Sequence, residues 1–139
     1  MSPENFAQLA GALQLTQLPL MSLAARKLGW HTELSRLSPV NQRLFGAIGF
    51  GIVVYVMGSG LLVITYAHAV TTTELGRALC VLQAVAWTAR VSQQLFRIRK
   101  LIPREARPFS RVATGVYASL ALLYGLLCAR LFLAPTTLG

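Results

Sequence analysis

The chain has 139 residues, 55% of them hydrophobic and only 12% charged, with a formal net charge of +9 and a mean hydropathy of +0.58. Soluble globular domains carry about one quarter charged residues, so this composition speaks against one and is that of an integral membrane protein. One domain is expected at this length, and a bundle of about three membrane-crossing helices leaves no room for a second.

The predicted fold is therefore all-α: a three-span transmembrane bundle over residues 39–139, preceded by a helical arm over residues 1–38. In the arm, Ser2, Pro3 and Glu4 form a helix-start pattern of hydroxyl cap, first-turn proline and acid. Phe6 to Ala25 is uncharged and is followed directly by Arg26 and Lys27, but Gln8, Gln14, Gln17 and Pro19 interrupt it. Two readings fit: an amphipathic helix lying in the cytoplasmic interface, and a fourth span running from outside to inside. Gln14 and Gln17 share a helical face and Gln8 does not, so periodicity leaves the choice open. The segment lacks the basic n-region of a signal peptide.

The first span is expected over Leu44 to Val70, in a helix that begins near residue 39 because Ser38 and Pro39 supply a cap and a first-turn proline. Gly46, Gly49, Gly51, Gly58 and Gly60 strip it of side chains, which allows close approach of a neighbouring backbone. Thr71 and Glu74 have capping-box spacing and start the second helix. The second span, Leu75 to Phe96, carries Arg77, Gln83, Arg90, Gln93 and Gln94, so protein should shield one of its sides. A basic connector over residues 97–111 follows, bracketed by Pro103 and Pro108. Pro108 can open the third helix, whose span is Val112 to Ala134 and which Pro135 stops.

Lys and Arg set the orientation. Arg26, Lys27, Arg36 and Arg43 precede the first span, and Arg97, Arg99, Lys100, Arg104, Arg107 and Arg111 fill the connector. The positive-inside rule makes that side cytoplasmic and leaves the C-terminus outside. The same six connector residues are the expected contacts for anionic lipid headgroups. Compactness and the lack of a targeting sequence favour a bacterial inner membrane. No nucleic-acid-binding module fits in the connector, so its charge is read against lipid.

No aspartate is present, and Glu4, Glu33, Glu74 and Glu105 all fall in aqueous or interfacial segments. Proton-coupled carriers and di-metal membrane enzymes rest on intramembrane carboxylates or clustered ligands, so neither class is expected. His31 and His68 fall on opposite sides and cannot together hold a haem. No catalytic set, metal site or cofactor is expected; Cys80 and Cys128 fall at similar depth, so their thiols meet if the second and third helices pack with those faces together, and otherwise are two small buried side chains.

The strongest constellation is a polar seam on the second helix. Gln83, Trp87, Arg90, Gln94 and Arg97 recur at spacings of four, three, four and three, which lines them along one face. Arg90 falls about 6 Å to the cytoplasmic side of the span midpoint, where a charge needs a partner or a function. Matching seams are expected at Tyr55, Ser59, Leu62 and Tyr66 on the first span and at Thr114, Tyr117, Ala121, Tyr124 and Cys128 on the third. Arg90, Gln83, Trp87, Gln94, Tyr55 and Tyr117 are thus the candidate ligand or partner seam, with Arg90 donating to hydroxyls or carbonyls or stacking on a ring.

These features point first to a small non-catalytic subunit or assembly factor of a larger bacterial membrane complex. A second reading is a lipid- or quinone-binding protein, or a lipid-type enzyme, that grips a polar head with the Arg, Tyr and Gln side chains. A third is a homo-oligomeric channel or carrier with an anion path past Arg90. The expected partners are membrane lipids together with other membrane subunits or further copies of the chain.

Overall fold

The computed structural model describes residues 2–98, 101–102 and 104–133, and among these the chain is helical with no strand. Arg99, Lys100 and the expected stop at Pro135 lie outside the described residues. The helices are α1 (Pro3–Leu15), α2 (Gln17–Lys27), α3 (Trp30–Ser35), α4 (Pro39–Thr65), α5 (Ala67–Thr72), α6 (Glu74–Gln93) and α7 (Arg107–Leu133). A π-helical turn over Gln94–Ile98 extends α6, and a 3-10 turn over Arg104–Ala106 leads into α7.

Local chemistry explains most of the boundaries. The Ser2 hydroxyl accepts the Asn5 N–H at 3.2 Å and the Ser38 hydroxyl accepts the Asn41 N–H at 3.4 Å, each just ahead of a first-turn proline. The start of α6 differs from expectation. Its cap is Thr73, whose hydroxyl accepts the Gly76 N–H at 3.0 Å. Thr71 sits inside α5 and donates its hydroxyl to the carbonyls of Ala67 and His68. The shift arises because the apolar run Leu44 to Val70 is not one helix: Tyr66, at φ −110° and ψ 34°, separates α4 from α5. The turn between α5 and α6 is tight enough to demand glycine, since a Cβ on Gly76 would stand 2.3 Å from the Val70 carbonyl oxygen.

Two helices, α4 and α7, each of 27 residues, are long and apolar enough to cross a membrane. The second expected span corresponds to helix α6, whose arginines and glutamines dilute its apolar character and keep it out of that class. Side-chain pairs fix the arrangement. Glu4 meets His68, Gln14 meets Ser59, Trp87 meets Tyr117 and Gln94 meets Ser110. Accordingly α1 runs antiparallel to α4, and α6 runs antiparallel to α7. Gln14 also meets Tyr124 while Phe6 meets Arg130, so α1 is antiparallel to α7 as well.

The N-terminal arm is therefore part of the bundle. Ala7, Ala10 and Gln14 on α1 have no exposed surface. The two backbones come close where α1 crosses α4: a Cβ on Gly11 would stand 2.8 Å from the Ile64 side chain and 2.9 Å from the Gly60 carbonyl oxygen. Of the five glycines singled out on the first span, Gly60 alone serves this contact. Gly46, Gly49, Gly51 and Gly58 meet no neighbour within 4 Å: the first three lie on the half of α4 that α1, ending at Leu15, leaves bare, and Gly58 lies off the Gly60 face.

The core follows a three-and-four repeat on α7, burying Ser110, Ala113, Tyr117, Leu120, Tyr124, Leu127 and Leu131. Tyr117 and Tyr124 belong to the expected seam, whereas Thr114, Ala121 and Cys128 flank it half-buried. On α4 the buried stripe is Val56, Ser59, Gly60 and Val63. Leu62 and Tyr66, expected on that seam, are 50% and 59% exposed. Their offset follows from the position of α1, which takes the Gly60 face. Cys80 is buried, Cys128 is half-buried, and both are free thiols.

Candidate functional site

Two polar groups lie inside the bundle. The first is centred on Gln14. Its Nε2 donates to the Val56 carbonyl at 3.1 Å and to Ser59 Oγ at 2.6 Å, while its Oε1 accepts the Tyr124 hydroxyl at 2.8 Å. Ser59 Oγ in turn donates to the Tyr55 carbonyl, and the Tyr55 hydroxyl donates to Gln83 Oε1 at 3.1 Å. One hydrogen-bonded chain thus joins α7, α1, α4 and α6. Burial of Gln14 with both amide hydrogens donated and its oxygen accepting once is the arrangement that apolar surroundings require of a polar side chain.

The second group lies on the α6–α7 side, toward the basic end. Trp87 stacks on Tyr117 with ring centroids 6.1 Å apart and planes 20° apart, and the Arg90 guanidinium carbon lies 5.0 Å from the Tyr117 ring centre. A cation above a ring face is held by the ring quadrupole, which supplies Arg90 with a partner that is not a carboxylate. Beyond it, Gln94 Nε2 donates to Ser110 Oγ at 3.0 Å. Gln94 opens the π-helical turn, an irregularity that recurs at functional positions in helices.

The structure thus brings together Gln83 with Tyr55, and Trp87 with Arg90 through Tyr117. Gln83, Trp87 and Gln94 are buried, Arg90 is half-buried, and Arg97 is exposed, so the seam leaves the interior at its last member. Sequence reasoning overlooked the hub. Gln14 looked like an interruption of an apolar segment, and the available signal was the face it shares with Gln17, which is also buried. Three donors in this region have no partner among the described residues: Gln17 Nε2, Gln83 Nε2 and Trp87 Nε1.

The basic residues gather elsewhere. With the helices antiparallel, the end of α2, α3, the start of α4, the end of α6 and the start of α7 share one end of the bundle. Arg26, Lys27, Arg36, Arg43, Arg97, Arg104, Arg107 and Arg111 are all there and all exposed. The opposite end carries Glu4 against His68 at 2.7 Å and Arg130 with its guanidinium carbon 4.6 Å from the Phe6 ring centre. Set against protein-family models, curated proteins and solved structures, the chain has no match.

Proposed function

We propose that the chain is a bacterial inner-membrane protein in which α1 with α2, α4, α6 and α7 each cross the bilayer, and that it serves as a non-catalytic accessory subunit or assembly factor of a larger membrane complex. The path of the arm supports four crossings, one more than the sequence favours. Helices α1 and α2, of 13 and 11 residues, run in succession from the His68 end toward the basic end, about 37 Å if straight. Together with the positive-inside rule, this path supports an orientation with residue 2 and the end of α7 outside and the exposed connector arginines inside. There Arg97, Arg104, Arg107 and Arg111 meet anionic headgroups, each adding about 1 kcal/mol of attraction.

One observation carries the accessory role. From Pro39 to Tyr55 every residue of α4 is exposed except Gly49 and Val53, which are half-buried. The face of Gly46, Gly49 and Val53 continues the stripe that α1 covers higher up, so a helix-packing surface extends beyond the part this chain uses. Lipid fills the flanks made by Phe45, Ile48 and Ile52, whereas a smooth glycine face favours another helix.

Gentle solubilisation of native membranes, with a cysteine-directed cross-linker at Gly49→Cys, tests this reading. A different membrane protein linked in stoichiometric yield supports it. Recovery of the chain alone, or only with copies of itself, overturns it.

A further inference from the structure

We infer that the face of α6 formed by Gln83, Trp87 and Arg90 binds the oxygen-bearing head of a hydrocarbon-soluble molecule, through carbonyl acceptors at Gln83 and Trp87. The site requires the helices to lie in a membrane, but it does not require the accessory role. Gln83 has no exposed surface; its Oε1 accepts the Tyr55 hydroxyl, and its Nε2 has no partner. Trp87 is 6% exposed and its indole N–H has no partner. These two donors stand four residues apart on one face of one helix, about 6 Å along its axis. An unmet donor in apolar surroundings is costly, and here two neighbouring donors are unmet together among the described residues.

The chemistry of the face specifies its complement. Both donors are uncharged and set near the middle of the span, which suits neutral acceptors such as the carbonyls of a quinone ring or of an acyl ester. Arg90, three residues on and half-buried, already leans on Tyr117 and adds positive potential on the basic side, favouring the electron-rich end of such a head. Both donor atoms are themselves covered, so a lateral approach opens when Tyr55 swings aside. Helices α4 and α6 meet through the Tyr55–Gln83 bond but are not packed along their lengths, and Tyr55 is 40% exposed. Below that bond α4 is bare, so a tailed molecule can enter from the bilayer with its tail beside α4 and its head at Gln83.

The chain has two tryptophans, and Trp30 is exposed at the basic end. Trp30→Phe therefore leaves Trp87 emission as a report on the site. In detergent-solubilised full-length protein, titration with a short-chain benzoquinone should quench that emission saturably. Adding Gln83→Leu should weaken the apparent affinity about ten-fold, as loss of a buried hydrogen bond does. Dioctanoylglycerol is the second arm: displacement of the benzoquinone assigns the site to acyl esters, and failure to displace it assigns the site to quinones. Quenching that grows linearly with benzoquinone, with emission unmoved by dioctanoylglycerol, means that water alone satisfies the donors and overturns the inference. Undiminished affinity in a Gln83→Leu protein of normal helical content overturns it equally. If Gln83→Leu does not fold, the near-isosteric Gln83→Met in the same Trp30→Phe background takes its place, with the same expected loss of affinity, and undiminished affinity there overturns the inference.

Discussion

The two halves of the bundle are built differently. Toward the His68 end, α1 lies against α4 at Gly11 and Gly60, and Gln14 ties three helices together with both its amide nitrogen and its oxygen engaged. Toward the basic end, α4 has no buried residue before Val56, α2 buries only Gln17, and α3 buries none. The unpaired Trp87 indole N–H and most of the exposed arginines occupy that half, while Gln83 Nε2 lies near the middle and the unpaired Arg77 Nε near the other end. One half is closed by its own side chains, and the other presents glycine faces, donors and charge to whatever surrounds it. The α1–α4 pair is thus held at one end only, whereas α6 and α7 stay packed into the basic half through Trp87–Tyr117 and Gln94–Ser110.

The glycines give the sharpest way to break this contrast. Gly76→Ala forces a Cβ against the Val70 backbone, and Gly11→Leu drives a side chain between α1 and α4. Overpacking of this kind costs about 1–3 kcal/mol and more where backbone must move, so Gly76→Ala should be the most damaging single change. In the basic half, Gly46→Ala and Gly49→Ala meet nothing within 4 Å. They should be neutral, or stabilise α4 by up to about 1 kcal/mol through helix propensity. Unfolding in mixed micelles, followed by circular dichroism, ranks all four; equal losses at Gly76 and Gly49 would erase the distinction between the halves.

Gln14→Leu comes next. It removes the donor to Val56 and Ser59 and leaves the Tyr124 hydroxyl without its acceptor. Interhelical hydrogen bonds in membranes average about 0.6 kcal/mol each, so a loss of about 2 kcal/mol is expected. Gln14→Glu keeps the shape while changing the hydrogen-bonding capacity and should recover only part of it. By comparison Arg90→Leu removes a cation–π contact of about 0.5–1 kcal/mol and should change stability little. Its effect should instead appear at the neighbouring Trp87, as a shift of emission in the Trp30→Phe background.

How much of this was legible in the sequence follows the same division. Composition and the apolar runs gave the helical class and the two long helices, and Ser2–Pro3 and Ser38–Pro39 marked helix starts because a cap acts within one turn. The polar face of α6 was visible as a repeat, since Gln83, Trp87 and Gln94 all turn inward. Tertiary choices were not visible. Nothing local tells Gly60 from Gly58; the difference is the presence of Gly11 across the interface, which is contributed by a helix 45 or more residues earlier. The role of Gln14 was hidden for the same reason, because its partners Ser59 and Tyr124 lie 45 and 110 residues away. The break at Tyr66 has no proline or glycine to announce it, and it moved the cap of α6 from Thr71 to Thr73.

The smallest expected effect tests what holds the closed half. Glu4 and His68 join α1 to the start of α5 at 2.7 Å, but their side chains are 46% and 78% exposed. An exposed pair of this kind contributes about 0–1 kcal/mol and weakens as salt rises. A double-mutant cycle with Glu4→Gln and His68→Gln should therefore give a coupling under about 1 kcal/mol, and raising the ionic strength should not release α1. Glu33 and Arg36, equally exposed at the other end and three residues apart, provide the local reference. Packing at Gly11 and Gly60 and the bonds of Gln14 predict that the two couplings are alike. A Glu4–His68 coupling several times the Glu33–Arg36 value would mean that charge, rather than close backbone contact, fastens the arm, and the closed half would then open with salt.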